Sequence, residues 1–201
     1  MRRLLLFVAV AFAALPAVSA LADVTIGQVG GVSNPITGSC PGTAVLADTN
    51  YAVPSGGGFI NSFSFQVGMV GEQLDFLVLR PGRDTYSVVG RTGLVTLPNT
   101  PVASFDVTPA IPVQGGDILG MWFPDPPGLT SCARPAGPGS GGILATEFGV
   151  ADPDVGQTVS FGDPDLNDDL NLSANLATPT RDACRRAAGS PSTWSGTRGI
   201  A

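Results

Sequence analysis

The chain has 201 residues, only 13% of them charged, and it carries 27 glycines and 18 prolines. Its net charge of −6 disfavours a nucleic-acid partner, because phosphate backbones repel an acidic protein. The absence of histidine and lysine from the sequence excludes Ser-His-Asp, Cys-His, Ser-Lys and Schiff-base catalysis, and the usual zinc sites with histidine ligands.

The N-terminus has the pattern of a secretory signal peptide. Met1-Arg2-Arg3 is a short basic region, an apolar run extends from Leu4 to Ala14, and Ala20-Leu21-Ala22 matches an A-x-A cleavage site. The apolar run is shorter than the roughly 20 residues of a transmembrane helix, although an uncleaved membrane anchor is the alternative. We therefore predict a signal peptide over residues 1–22 and a secreted or cell-surface protein with no membrane span after cleavage.

Apolar and polar side chains alternate with a period of two along several runs of the mature chain, which predicts strands. The apolar positions are Phe59, Phe63, Phe65 and Val67, then Leu74, Phe76 and Val78 with Leu77 and Leu79 on the opposite face, then Ala103, Phe105 and Val107, and finally Leu170, Leu172, Ala174 and Leu176. The run over residues 73–80 is apolar on both faces, which predicts a central strand. The other runs have one polar face, as expected of antiparallel sheets packed on a core.

Turns rich in glycine, proline and aspartate separate these runs at roughly ten-residue spacing. They lie at residues 54–58, 81–84, 97–99, 114–117 and 124–128. Short strands with such turns predict an all-β, antiparallel β-sandwich of jelly-roll type, as a single domain over residues 23–176. We expect Asp117 to hold its turn by accepting backbone hydrogen bonds. Asp75 is predicted to pair with Arg80 or Arg91 on a solvated face, with little energetic weight.

Four motifs occur in order along the chain. They are Tyr51-Ala52-Val53-Pro54-Ser55-Gly56-Gly57, Val78-Leu79-Arg80-Pro81, Val113-Gln114-Gly115-Gly116-Asp117-Ile118-Leu119-Gly120 and Leu170-Asn171-Leu172-Ser173-Ala174. They resemble a group of uncharacterised secreted proteins of GC-rich Gram-positive bacteria that carry a single predicted β-sandwich. The resemblance implies a fold and no particular reaction. In many of those proteins the last strand leads into an Asp-rich tail, whereas this chain continues into an Arg-rich segment.

The three cysteines are Cys40, Cys132 and Cys184. Secretion implies an oxidising compartment, and Cys40 and Cys132 both lie in loops that flank the strand-rich region, so we predict a disulfide between them. Cys184 is then left over in the tail, residues 177–201. This tail is rich in Arg, Ser and Gly and has few apolar residues, so we expect it to be disordered.

An acidic stretch before the last strand has the spacing that begins a calcium loop, where alternating oxygen ligands converge on a hard cation. The ligands would be Asp163, Asp165, Asn167 and Asp169. Asp168 stands where the loop needs glycine, and Ala174 where it needs a bidentate glutamate. An ordinary solvated acidic turn is the alternative, and no other cofactor is predicted.

A carbohydrate-binding sandwich is expected to expose aromatic rings on which sugar rings stack. The rings outside the core-facing phenylalanines are Tyr51, Tyr86, Trp122 and Phe123. Trp122 and Phe123 are adjacent in a predicted strand and point to opposite faces, which would expose one of them. Burial tendencies favour a buried Trp122 beside Ile118.

The expected function is a non-catalytic, secreted binding module, with a polysaccharide or another cell-envelope polymer as the preferred ligand class. A structural or adhesive extracellular protein without a small ligand is the first alternative. An exposed aromatic row would favour the binding module, and a smooth polar face without a groove would favour the structural protein. A glycoside hydrolase that uses only carboxylates, with Glu72 and Glu147 as the two glutamates, is the lesser alternative.

Overall fold

Strands form all the regular structure in the computed structural model, which describes residues 22–30, 40, 44–125, 131–136, 144–162 and 168–178. In chain order they are β1 (Ala22–Gly27), β2 (Ala44–Ala52), β3 (Gly58–Gln66), β4 (Gln73–Pro81), β5 (Tyr86–Thr96), β6 (Val102–Val113), β7 (Ile118–Phe123), β8 (Ala133–Pro135), β9 (Leu144–Phe148), β10 (Thr158–Val159), β11 (Asp168–Leu170) and β12 (Leu172–Thr178). Almost all of the predicted signal peptide and tail, including Cys184, lies outside the described residues.

The strands form two main sheets, and every pairing is antiparallel. One sheet has four strands in the order β1-β12-β3-β6, and the other has six in the order β10-β5-β4-β7-β2-β9. β8 and β11 form a separate two-stranded ladder. The predicted all-β, antiparallel sandwich is therefore confirmed, and its strands lie within one compact unit, Leu21–Pro179.

The main core fills the space between the two sheets. Phe63 and Phe65 of β3, Phe76 of β4 and Phe123 of β7 are among its largest fully buried side chains. β4 lies between β5 and β7, as its doubly apolar pattern predicts. Its Leu77 belongs to a second buried cluster on the outer face of the six-stranded sheet. That outer face is therefore also covered.

The faces of β3 differ from the predicted alternation at one point. Phe59 is 48% exposed, whereas the next residue, Ile60, is fully buried. Against β12, Ile60 pairs with Leu176 and Ser62 pairs with Asn175, so Asn61 is an extra residue on β3. Such an irregularity exchanges the inward and outward faces, so the prediction that Phe59 shares the face of Phe63 is wrong.

The last predicted strand also differs from the expectation that its polar residues face solvent. Leu170, Leu172, Ala174 and Leu176 point into the core as predicted, but Asn171 between them is fully buried. Its side-chain amide donates hydrogen bonds to Gln66 Oε1 (3.1 Å) and to the Ser131 carbonyl (2.9 Å). Asn171 thereby bridges the end of β3 and the segment before β8, because a buried amide needs partners.

Two further predictions about the framework are confirmed. Cys40 and Cys132 form a disulfide, with their Cα atoms 6.1 Å apart. Asp117 accepts a hydrogen bond from the backbone N–H of Gln114 (2.8 Å) and a bidentate ion pair from Arg80 (2.8 and 2.9 Å). The turn between β6 and β7 is therefore held by a buried carboxylate.

The described residues contain no helix long and apolar enough to cross a membrane.

Candidate functional site

A groove runs between β5 and β6, where neighbouring edges of the two sheets meet. It consists of two hollows, of about 420 and 540 Å³, that share Val89, Pro112 and Val155 in their linings. Ligand sites typically occupy roughly 300–1,000 Å³. We call this feature the β5–β6 groove. Its apolar walls include Val89, Val95, Phe105 and Pro112, and its lining also includes the polar residues Thr92, Asp106 and Thr108.

The groove opens where β6 leaves β3. Asp106 pairs with Ser62 of β3 and Ile111 pairs with Ile60, so residues 107–110 of β6 lie opposite the single residue Asn61. This stretch includes a cis peptide bond between Thr108 and Pro109. A bulge bends its strand away from the neighbour, and here the bulged residues line the first hollow.

The floor of the groove is a close contact between the two sheets. Gly90 of β5 is buried against Ile111 of β6, and a methyl group added at Gly90 would overlap the Ile111 side chain. Glycine at this position therefore lets the sheets touch, which closes the bottom of the groove.

Two aromatic rings line the groove, the buried Phe63 and the partly exposed Phe105. Phe105 of β6 is half-buried and lines the first hollow. It stacks on Phe63, with ring centroids 5.0 Å apart, and Phe63 stacks on Phe76 at 4.9 Å. Offset stacks of this kind fix ring orientation, so the core holds Phe105 rigidly at the groove wall.

The strand edges beside the groove are only partly paired. Val88 on the β5 edge donates its backbone N–H to the Gln157 carbonyl (2.9 Å) and accepts a hydrogen bond from the Gly156 N–H (2.8 Å). β6 is the last strand of its sheet, and β10 pairs only with Tyr86 and Ser87 of β5. Within the described ranges, β5 has no strand neighbour on that side beyond this short pairing. Pro109 and Pro112 remove two N–H donors from β6, so its edge offers isolated backbone groups without a continuous ladder.

The charges beside the groove are mostly negative. The Arg91 guanidinium lies 2.6 Å from Asp75 Oδ2 and 2.8 Å from Asp154 Oδ1, and it also pairs with Asp152. Asp75 is fully buried, and Asp106 is exposed at the groove. Burial raises the pKa of the Asp75 carboxyl, although Arg91 acts in the opposite direction. The cation is thus surrounded by carboxylates, and the pair predicted between Asp75 and a strand arginine exists but is buried, which contradicts the predicted solvated face.

Residues 149–162, which we call the covering segment, form one lip of the groove and cover the outer face of the six-stranded sheet. Arg91 donates a hydrogen bond to the Pro153 carbonyl (3.2 Å), and Trp122 Nε1 donates one to the Val150 carbonyl (3.0 Å). Val155 of this segment is exposed and contributes to both hollows. The contacts of Arg91 therefore position an apolar side chain at the groove.

The four predicted aromatic candidates do not form a platform. Tyr51 and Phe123 are buried in the core between the sheets, and Trp122 is buried with Ile118 under the covering segment, as burial tendencies indicate. Tyr86 is half-buried and packs edge-on against Phe161, with centroids 4.9 Å apart. Trp122 and Phe123 do point to opposite faces, but both faces are covered, so the expected exposure of one of them is wrong.

Phe105 is the ring that sequence reasoning missed as a candidate. Its place in an apolar alternation marks it as a core residue, and it does contact the core. The signal that distinguishes it is the pair of prolines, Pro109 and Pro112, later in the same run. Prolines in a strand pattern predict an edge strand, and a core-facing ring on an edge strand can be partly open to solvent.

A separate polar cluster lies near the predicted calcium loop, of which only Asp169 is described. Asp169 of β11 is almost fully buried and its Oδ1 has no hydrogen-bond partner, as is true of the Tyr51 hydroxyl and Arg134 Nε. Asp48 is fully buried and accepts hydrogen bonds from the backbone N–H groups of Asn50 (2.8 Å) and Leu170 (2.9 Å).

Burial raises the pKa of Asp48, and the Asp169 charge adds to this shift. Burial likewise raises the pKa of the Tyr51 hydroxyl, with Asp48 and Asp169 contributing in the same direction. Among the described residues, no group of three or more His, Cys, Asp or Glu side chains is placed to hold a metal ion. Asp163, Asp165 and Asn167 lie outside the described residues, so calcium binding stays a prediction.

The carboxylates of the two glutamates each accept a hydrogen bond from a backbone N–H outside the strands. Glu72 is buried and accepts a hydrogen bond from the Met69 N–H (3.3 Å), and Glu147 of β9 accepts one from the Ser160 N–H (2.9 Å). Both carboxylates thus have backbone partners that explain their positions.

Comparison of the chain with protein-family models, curated proteins and solved structures finds no match in any of the three. The resemblance to secreted proteins of GC-rich Gram-positive bacteria therefore stays a prediction.

Proposed function

We propose that this protein is a secreted, non-catalytic binding module that holds a neutral polysaccharide in the β5–β6 groove. The observation that carries the proposal is the half-buried Phe105 ring at the wall of an open groove, fixed from behind by Phe63 and Phe76. A rigid aromatic surface suits the apolar face of a pyranose, because little side-chain entropy is lost on binding. The Cys40–Cys132 disulfide supports secretion, since such bonds persist in oxidising compartments.

The shape of the groove favours a polymer over a single small molecule. The two hollows adjoin along β5 and β6, from Val95 at one end to Arg80 and Gln114 at the other. A chain molecule can occupy both hollows at once, and the second contact then adds affinity with little extra entropic loss.

The edges of the groove favour a saccharide over an added polypeptide strand. A strand that joins a sheet needs a regular series of backbone donors and acceptors along the edge. The bulge at residues 107–110 and the prolines Pro109 and Pro112 interrupt that series on β6. The pairing of β5 with β4 also shifts register near Val89.

The surrounding charge favours a neutral ligand. Three carboxylates surround Arg91, and the whole chain carries a net charge of −6. An anionic polymer would approach against this field.

The test is retention of the mature chain, residues 23–201, on insoluble neutral polysaccharides and on purified cell wall, with calcium and with chelator. Phe105→Leu keeps an apolar side chain but removes the ring, and we expect it to lose most of the retention while its melting curve shows that it folds. The matched control is Phe148→Ala, because Phe148 is exposed on β9 at the opposite edge of the six-stranded sheet. Equal retention of Phe105→Leu and wild type would reject the groove as the binding site.

A structural or adhesive role is the second candidate, and one observation favours it. The outer face of the four-stranded sheet carries small polar side chains that bond to each other, including Ser64 to Ser104 (2.8 Å) and Thr25 to Asn175 (3.0 Å). This face also exposes the Phe59 ring, and a mainly polar surface of this kind suits contacts with other macromolecules. Failure of the mature chain to bind any polysaccharide would favour this role.

A further inference from the structure

We infer that Asp106 determines the specificity of the β5–β6 groove by accepting hydrogen bonds from two neighbouring hydroxyl groups of one sugar ring, and this inference rests on the proposed function. The groove then selects neutral polysaccharides whose sugar units keep two adjacent ring hydroxyl groups free. Hexoses in a 1,4-linked chain keep such a pair on carbons 2 and 3. In a 1,3-linked chain the linkage occupies carbon 3, so the internal units have no adjacent pair.

The polar side chains of the first hollow differ in whether they already have partners. Arg91, Thr92, Asp106 and Thr108 all contribute to its lining. The Arg91 guanidinium is paired with three carboxylates, and the Thr92 hydroxyl is bonded to the Asp75 carboxylate (3.0 Å). Within the part of the chain that the structure describes, the side chains of Asp106 and Thr108 have no hydrogen-bond or ion-pair partner. These two side chains are therefore the ones available to a polar ligand.

Asp106 lies at the rim of the hollow, next to the ring that carries the proposed function. It is exposed, whereas Phe105 is half-buried and stacks on Phe63 of the neighbouring strand. Successive residues of a strand point to opposite faces, so the ring lies on the inner side of β6 and the carboxylate on the outer side. Their Cα atoms are only about 3.8 Å apart, as in any consecutive pair. One sugar ring can therefore rest its apolar face on Phe105 and direct its hydroxyl groups toward Asp106.

The chemistry of a carboxylate suits a pair of hydroxyl groups. An ionised carboxylate accepts hydrogen bonds and donates none, and its two oxygen atoms can accept side by side. Two hydroxyl groups on adjacent ring carbons can donate one hydrogen bond to each oxygen. Bonds to a charged acceptor are stronger than bonds between neutral groups. A site that bonds a hydroxyl group also discriminates against an analogue that lacks it, because the acceptor then loses its bond to water without replacement.

The charge of Asp106 distinguishes hydroxyl recognition from ionic binding. The carboxylate adds to the three that surround Arg91, so an anionic polymer is repelled from the groove. A polymer with free amines would be attracted, but added salt would weaken that attraction. Hydrogen bonds from neutral hydroxyl groups predict an affinity that changes little with salt.

The experiment is calorimetric titration of the mature chain, residues 23–201, with cellohexaose and with laminarihexaose. Both are β-linked glucose hexamers of equal length, the first 1,4-linked and the second 1,3-linked. We expect laminarihexaose to bind more weakly by a factor on the order of ten, because its internal units cannot donate an adjacent pair of hydrogen bonds to Asp106.

A substitution at Asp106 locates the preference. Asp106→Ala removes the acceptor, and we expect it to weaken cellohexaose binding by a factor on the order of ten and to leave laminarihexaose binding unchanged. Its melting curve shows that it folds, as expected for an exposed residue. Asp84→Ala is the matched control, because Asp84 is exposed in a turn and lies outside the lining of both hollows. This control makes the same change of charge and should keep the preference.

The outcomes separate this inference from the proposed function. Equal affinity for the two hexamers, or a preference that persists in Asp106→Ala, overturns the role of Asp106, and the groove remains the binding site if Phe105→Leu still loses binding. Affinity that added salt abolishes overturns the inference in favour of ionic attraction. Binding of neither hexamer also overturns it. If the chain is then retained on no other neutral polysaccharide, the proposed function fails as well.

Discussion

The outer faces of the two sheets differ in solvent exposure and in the polarity of their side chains. The outer face of the four-stranded sheet is open and carries serine, threonine and asparagine side chains that bond to one another across the strands. The outer face of the six-stranded sheet is apolar around Leu77 and Trp122 and lies under the covering segment. The outer face of the four-stranded sheet is therefore exposed to solvent, whereas the outer face of the six-stranded sheet is covered by another part of the chain.

This difference shows how a small number of contacts can change the role of a sheet face. Arg91 bonds to the covering segment at Pro153, Asp152 and Asp154, and Trp122 bonds to it at Val150. The same contacts place Val155 at the β5–β6 groove. The covered face therefore serves as a second core and also completes the candidate site.

Among the substitutions that test this difference between the two faces, removal of the Arg91 side chain is expected to lower the free energy of unfolding the most. Arg91→Ala leaves the fully buried Asp75 without its cation, and loss of one partner of a buried pair costs about 3–5 kcal/mol. The free energy of unfolding from urea denaturation checks the value. Arg83→Ala, in an exposed turn, is the control, and we expect it to change stability by no more than about 0.5 kcal/mol. A similar small loss in both variants would mean that the covering segment is held without Arg91.

Trp122→Phe tests the second attachment of the covering segment. The substitution keeps an aromatic ring but removes the N–H that bonds to the Val150 carbonyl. The bond is part-buried, and a buried acceptor left without its donor costs about 1–3 kcal/mol, so we expect a loss toward the lower end of that range in chemical denaturation followed by circular dichroism. Phe148→Ala on the exposed end of β9 should lose much less. A neutral Trp122→Phe would show that water replaces the indole at this carbonyl.

The sequence predicts the sandwich well where alternation is regular. β4 is recognisable as a central strand because Leu74, Phe76 and Val78 alternate with Leu77 and Leu79, and both faces of a central strand are covered here. Alternation does not show where a strand bulges. For this reason Phe59 is assigned to the wrong face, and the opening of β6 at residues 107–110 is not predicted.

The candidate site depends on contacts between residues that are distant in sequence, which explains why little of it is predicted. The pairing of Asp75 with a strand arginine is anticipated, but its burial depends on a segment more than fifty residues later, since Asp152 and Asp154 bond to Arg91. Trp122 is correctly expected to be buried. The sequence predicts Phe105 in the core. Its partial exposure arises from the β5–β6 groove, whose position alternation does not reveal.

The pH dependence of the free energy of unfolding tests which of two effects on the Asp75 carboxyl is larger, its burial or its attraction to Arg91. Burial raises the folded-state pKa of Asp75 above the usual 3.8, so the folded protein holds this proton more tightly than the unfolded chain does. The contribution of Asp75 to the free energy of unfolding is then greatest below pH 3.8 and decreases as the pH rises through the raised value. We expect the stability of wild type minus that of Asp75→Asn to decrease from pH 3.8 toward neutrality.

Urea denaturation at several pH values checks this trend, with Asp84→Asn in an exposed turn as the control. An increase of the wild-type advantage with pH would contradict it. That result would mean that the attraction of Arg91 for the ionised carboxylate outweighs its burial.

Substitutions on the outer face of the four-stranded sheet, which we call the open face, are expected to change the free energy of unfolding the least. Ser64 and Ser104 share a hydrogen bond of 2.8 Å at an exposed position, where water replaces either partner. Ser64→Ala, and Ser64→Ala combined with Ser104→Ala, should therefore change the free energy of unfolding by no more than about 0.5 kcal/mol. The same variants sharpen the functional comparison, because they leave the β5–β6 groove unchanged. If the double variant loses polysaccharide retention while Phe105→Leu keeps it, the open face is the binding surface; the reverse result assigns binding to the groove and leaves the open face as a solvated surface.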